Sequence, residues 1–210
     1  MLASLASLGS FEAAVTKFTG SGGDALQEMD GGLILSWRGA SSYRAQYQGM
    51  WGDTLLVIRE GSRILSDSLD VGGSATLRDA GEKFQDSWSS SGADMTLGPY
   101  PMFFLGEAAL SALAPPSAVI EYRSVGTRSR RFVVTGGRYG SLTFQASKRD
   151  KTWMLDFVET GRQSARGFGS SIIRMETASI NPLPKSSASF WVAEPEKGIG
   201  LTDLRAKKKD

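Results

Sequence analysis

The sequence predicts a mainly β (α+β) protein: an open, curled antiparallel half-barrel of about eleven strands, with two or three helices covering its concave side. Three observations lead there. Short apolar runs, many alternating with polar residues, are punctuated by Gly- and Ser-rich turns, and Gly alone supplies 25 of the 210 residues. Successive runs are joined by only a few residues, which suits hairpins and excludes helical crossovers. Several runs, such as Leu55-Leu56-Val57-Ile58, are apolar on both faces, where a sheet with one wet face would alternate. A second cover is therefore required, which helices supply in part and a ligand can complete.

The elements follow in order. Leu2, Leu5 and Leu8 recur at helical spacing and predict an amphipathic turn. Phe11, Ala13 and Val15 alternate with Glu12 and Thr16, as in a strand, and the Thr19–Asp24 stretch reads as a flexible loop. Strands are expected over Leu33–Arg38, Tyr43–Tyr47, Thr54–Arg59 and Arg63–Ser66, with turns at Gly39–Ser42, Gly49–Asp53 and Glu60-Gly61. Phe84 and Trp88 stand four apart, as on a short helix. Pro101 opens a second helix carrying Met102, Leu105, Ala109 and Leu113, and Pro115-Pro116 ends it. Strands then return over Val119–Val125, Arg131–Thr135, Tyr139–Gln145, Thr152–Val158, Ile172–Ala178 and Ser189–Val192. Residues 1–204 read as a single domain and 205–210 as a basic, flexible tail.

Composition removes whole classes of chemistry. With no His and no Cys, a Ser-His-Asp or Cys-His nucleophile, a thiolate or imidazole zinc site and haem or iron–sulfur ligation cannot be built. No GxSxG, SxxK or P-loop is present, and no EF-hand spacing. Asp156 and Glu176 are the one carboxylate pair that suits glycoside chemistry. The reading is a non-enzyme with no catalytic residue, no metal and no cofactor. Net charge is +2. Arg128, Arg130, Arg131 and Arg138 lie near Phe132 and Tyr139, a pattern that suits single-stranded nucleic acid, but the near-neutral total argues against that partner. The 117–150 stretch nevertheless holds seven Arg/Lys against two acids, which reads as a solvated face or, more sharply, as attraction to an anionic surface such as a membrane. No stretch approaches the ~18 apolar residues of a membrane span, and Met1–Ser10 lacks the features of a signal peptide.

Three segments resemble the LolA/LolB-like carriers that sort lipoproteins in Gram-negative bacteria. Trp37–Tyr47 (WRGASSYRAQY) resembles their aromatic-Arg strand, Glu60–Leu65 (EGSRIL) stands where they have an Asp-Gly hairpin, and Phe190–Gly198 (FWVAEPEKG) resembles their last strand and its exit. The family's Pro before the aromatic-Arg strand is absent at 39–42, and Ser66–Asp70 replaces its aromatic-Asp-Pro segment. The resemblance implies an unclosed barrel lidded by helices, whose apolar concave side holds acyl chains. It further implies a monomer on the periplasmic side of the bacterial envelope. The expected function is non-catalytic binding and transfer of an acylated ligand: lipoprotein carriage to, or insertion into, the outer membrane. The alternative is an envelope protein–protein interaction module with no lipid, using Trp51 and the basic strands.

Candidate residues follow. Leu35, Trp37, Leu55, Val57, Phe132, Val134, Phe144, Trp153, Leu155 and Phe157, with Phe190, are the candidates to line a ligand cavity, and for most of them simple core packing is the competing reading. An acyl chain buried there contributes ~0.8 kcal/mol per CH2. Met50 and Trp51 lie between two glycines at a hairpin tip, where apolar residues are unusual, and Trp favours the headgroup region of a bilayer. The resemblance places them on the loop that helps deliver lipoprotein to the membrane. Arg44 alternates with Tyr43 and Ala45 and so points away from them. The resemblance gives its position a lid-coupling role.

Overall fold

The structure, a computed structural model, describes residues 1–21, 28–68, 74–163, 170–185, 188–194 and 199–205. The elements are α1 (Leu2–Ala6), β1 (Phe11–Ser21), β2 (Glu28–Gly39), β3 (Ser42–Gly49), β4 (Thr54–Glu60), β5 (Arg63–Ser68), β6 (Ser74–Asp79), α2 (Phe84–Ser90) and α3 (Ala93–Leu97). A 3-10 helix (Tyr100–Leu105), α4 (Glu107–Leu113), β7 (Val119–Ser124), β8 (Ser129–Gly137), β9 (Gly140–Arg149), β10 (Thr152–Gln163) and β11 (Ser170–Pro182) follow. A second 3-10 turn (Ala188–Trp191) and β12 (Gly200–Asp203) complete the described chain. The strands form one open sheet in the order β12-β6-β5-β4-β3-β2-β1-β11-β10-β9-β8-β7. The expected class, mainly β with an open sheet and few helices, is what the structure has.

Several details differ from the sequence reading; Thr19–Ser21 of the expected loop and Gly161–Gln163 of the expected turn, for example, are strand. β6 and β12 were not expected, and β12 runs parallel to β6. Ser189–Val192 is no strand: Ala188–Trp191 turns as a 3-10 helix. The single helix expected after Pro101 is broken at Gly106, whose φ of 67° requires a glycine-like backbone. The helix therefore starts afresh at Glu107. Residues 22–24 of the Gly-rich loop, 164–169 of the Gly161–Gly169 turn, 195–198 of the exit segment and 206–210 of the basic tail lie outside the described residues. At the edge of the tail, Arg205 grips Asp203 through Nε and Nη2, and these bonds hold the Asp203 carboxyl down to about 2.

By its internal contacts the chain divides into two compact units. The second comprises 9–14, 31–96 and 180–210. Its β2–β5 meander has a register that puts Leu35, Ala45 and Val57 in one row and Trp37, Tyr43 and Arg59 in the next. This face is closed by α2. Phe84 and Trp88 of α2 meet Tyr43 at 5.2 and 5.9 Å between ring centroids, and Phe84 also reaches Trp37 at 5.6 Å. Burial and apolar contact push the Tyr43 hydroxyl far above its ordinary range, so it stays neutral. The opposite face buries Ile58, Leu65, Ala75 and Leu77 under Ala193, with Ile199 packed alongside. Leu55–Ile58 is apolar on both faces because each face has a protein cover.

The first unit comprises 1–8, 15–30 and 97–179. One face of its β8–β10 meander is covered by α1, the 3-10 helix and α4. Phe103 packs on Phe144 at 4.6 Å, Tyr139 Oη donates to Met102 Sδ at 3.8 Å, and Tyr100 Oη bonds Thr177 Oγ1 at 2.6 Å. The backbone N–H of Trp153 donates to Ser4 Oγ of α1 at 3.4 Å. The opposite face carries a polar network: Arg131 donates to Gln145, and Gln145 and Ser147 donate to Asp156. Arg174 pairs there with Glu159 and Glu176.

Removal of the large ring that closes the second unit tests this packing. Trp88 is fully buried, and Trp88→Ala is expected to lower stability by ~3–5 kcal/mol in urea unfolding. A loss below about 1 kcal/mol would mean that α2 does not close the face.

Candidate functional site

The helical cover of the first unit leaves a gap. Between α1 and the strands β7–β9 lies an apolar cavity of about 390 Å3, within the ~300–1,000 Å3 range of small-molecule sites. Its sheet wall is Ile120, Phe132, Val134 and Phe144, and its helix wall is Met1, Leu2 and Ala3 with Glu107 of α4. The sheet wall arises from register: Ile120 pairs with Val134, and Phe132 with Phe144, so all four project from one face. The Phe132 and Phe144 rings stack at 5.0 Å and 12°. β7 is the edge of the sheet, and its Ile120 and Tyr122 are 49% and 53% exposed. The apolar face thus continues from the cavity to open solvent.

Of the ten expected lining residues, Phe132, Val134 and Phe144 meet at this cavity. Leu155 is on the same face of the next strand and is fully buried. Trp153 is also on that face, half-buried, with the Arg130 guanidinium 5.8 Å from its ring. Phe157 is on the opposite face. A register shift between Leu155 and Phe157 inserts Asp156 as an extra residue, and such a bulge reverses the alternation. Phe157 consequently sits under the guanidiniums of Arg174 and Arg131, at 4.0 and 5.6 Å. Leu35, Trp37, Leu55 and Val57 belong to the second unit and are buried in its core. Ile120, Leu2 and Glu107 were not anticipated. The alternation of Ile120 and Tyr122 with Glu121 and Arg123 was the available signal for the first of these.

Met50 and Trp51 stand at the tip of the β3–β4 hairpin, 61% and 89% exposed. The turn is shaped by the bond from Gly49 N–H to Asp53 O at 2.7 Å, with Gly52 at φ 90°. Arg44 points away from Tyr43 as its alternation requires. Its Nη1 donates to Phe190 O at 3.4 Å and its guanidinium covers the Phe190 ring at 4.6 Å. It therefore anchors the C-terminal 3-10 turn rather than a helix on the Tyr43 face.

The guanidinium that does hold a helix on the second unit's sheet is Arg59, which the sequence reading passed over. It is buried and donates to Ser87 Oγ of α2 at 3.0 Å, to Gly81 O at 3.1 Å and to Gly61 O at 3.3 Å. A charge closing an otherwise apolar strand, Leu55–Ile58, was its signal. The carboxylates Asp156 and Glu176 are engaged by Gln145 and Ser147, and by Arg174, respectively.

Solved structures similar to this chain along most of its length, at low TM-score, include the following two. One is a LolA superfamily protein from Nitrosomonas europaea, at 9% identity and TM-score 0.37, with 91% of this chain and 95% of that chain covered. The other is a domain of a proposed outer membrane lipoprotein-sorting protein from Vibrio parahaemolyticus, at 6% identity and TM-score 0.35, with 87% and 89% covered. No family model and no curated protein matches the chain.

Loss of the buried guanidinium leaves Gly81 O and Ser87 Oγ without its donors. Arg59→Gln is expected to lower stability by ~2–3 kcal/mol, whereas Arg44→Gln, at a half-buried site, lowers it by less than ~1.5 kcal/mol. Equal losses in urea unfolding would contradict the assignment of the helix anchor to Arg59.

Proposed function

We propose that the chain binds an acyl chain in the cavity between α1 and β7–β9 without acting on it chemically. The observation that carries this reading is the cavity itself: seven of its eight lining residues are apolar, and its walls come from a short helix and an edge of the sheet. A cavity of that lining favours a hydrocarbon, with ~0.8 kcal/mol gained per CH2 buried. α1 is five residues long, too short to be stable by itself, so it is suited to move aside as a chain enters. The motif resemblance supports a ligand of the bacterial envelope, an acylated lipoprotein or lipid carried to, or inserted into, the outer membrane. On this reading the Met50–Trp51 tip touches the membrane surface, where an exposed Trp is favoured.

Native mass spectrometry of the freshly purified protein tests the first part. The expected result is added mass, matching a fatty acid, phospholipid or acylated peptide, that leaves on mild activation. Ala3 is exposed on the helix wall, so Ala3→Trp fills the cavity without disturbing the core. It is expected to lower acyl-probe affinity by at least ~10-fold. A bare chain that ignores acyl probes would instead favour an interaction module built on Trp51 and the basic strands.

The tip is tested separately. Trp51→Ser is expected to reduce cosedimentation with phospholipid vesicles while leaving the melting temperature unchanged, because an exposed substitution changes stability by less than ~0.5 kcal/mol. A marked drop in melting temperature would assign Trp51 to packing.

A further inference from the structure

The cavity has a cationic neighbour on its own face. Arg130 lies two residues from Phe132 on β8, so both side chains project from the same side, ~7 Å apart along the strand. Its guanidinium is 5.8 Å from the ring centroids of both Tyr122 on β7 and Trp153 on β10. Among the described residues, its Nη1 donates to two backbone carbonyls, Gly126 O at 3.3 Å and Ser129 O at 3.0 Å, and to no carboxylate. Lys148 pairs with Trp153 across β9 and β10 and is exposed on that same face. The bond from Lys148 N–H to Arg128 O at 2.7 Å brings the 125–128 turn beside it. The nearest acid on β7, Glu121, projects from the other face, where Arg123 engages it at 3.1 Å. A cluster of cations and aromatics, Tyr122, Arg130, Lys148 and Trp153, thus stands on the same face as the apolar pairs Ile120–Val134 and Phe132–Phe144, toward the β8–β9 end away from Ile120.

We propose that the ligand of this cavity is an anionic amphiphile, with its acyl chain between α1 and β7–β9 and its carboxylate or phosphate held by Arg130 and Lys148. The inference rests on the acyl-binding reading above and adds the headgroup. Arg presents a planar fork that suits both oxyanions, and Lys adds a mobile point charge. Tyr122 and Trp153 are the residue types that sit where an apolar body meets a polar end. The partial burial of Arg130 limits competition from water and salt. Glu107 is the acid among the cavity's lining residues and stands on the helix wall, so an anion is favoured beside Arg130 and disfavoured at that wall.

Calorimetric titration with twelve-carbon probes of one chain length separates the headgroup from the chain. Dodecyl phosphate and laurate are expected to bind at least ~10-fold more tightly than neutral monolaurin. That margin is expected to shrink with added salt and to vanish in Arg130→Gln/Lys148→Gln. A preference for dodecyl phosphate assigns a phospholipid-type ligand, and one for laurate a free fatty acid. Equal affinity for all three probes would overturn the headgroup site and leave the acyl cavity standing. A preference that survives the double variant would overturn the assignment to these two residues. Failure of every probe to bind would overturn both readings.

Discussion

The requirement that every two-sided apolar strand be covered twice governs this molecule. Unpaired apolar surface costs ~25 cal/mol for each Å2 left in water, so each face of each meander needs a partner. In the second unit both covers are protein. α2 sets Phe84 and Trp88 on the Trp37–Tyr43 row, and the C-terminal segment sets Ala193 on Ile58, Leu65 and Leu77. In the first unit one face is polar and self-satisfied by the Arg131–Gln145–Asp156 network. The other face is covered by α1, the 3-10 helix and α4, but that cover ends before β7.

The site follows from that shortfall. Phe144 is shared between cover and cavity: Phe103 packs on it from the 3-10 helix, and Phe132 stacks on it from the neighbouring strand. One strand further out, Ile120 and Tyr122 remain half in water. A hydrocarbon chain is the natural completion of such a face, because it supplies apolar area without needing hydrogen bonds. On the proposed reading, Arg130 and Lys148 on the same face give the chain a defined direction, which a cavity of Phe, Val and Ile alone cannot do.

Much of the fold was legible because period-two alternation and turn residues are local signals. Tyr43, Ala45 and Tyr47 alternate cleanly, and β3 forms over them. β6 and β12 were missed because Ser74–Asp79 and Gly200–Asp203 carry few apolar residues, and β12 is held by pairing with β6 rather than by its own pattern. Phe190-Trp191 looked like a strand but turns, since Arg44 and Arg38 stack on its rings from the sheet. The lining residues were legible only in part. Phe132, Val134 and Phe144 could be seen as apolar strand positions, but nothing in their pattern distinguishes a cavity wall from a core. Leu35 and Val57 have the same pattern and are core. The bulge at Asp156, which sends Phe157 to the other face, is a tertiary decision with no sequence mark of its own.

The central claim is that a hydrocarbon chain occupies the face that α1 leaves incompletely filled. The most direct measurement is isotope-filtered NMR with carbon-13-labelled laurate bound to the unlabelled protein. Acyl binding under α1 requires cross-peaks from chain methylenes to the Phe132 and Phe144 rings and to the Leu2 methyls. Cross-peaks confined to the Trp51 indole, or to the Phe84–Trp88 cluster, in a saturated complex would contradict it.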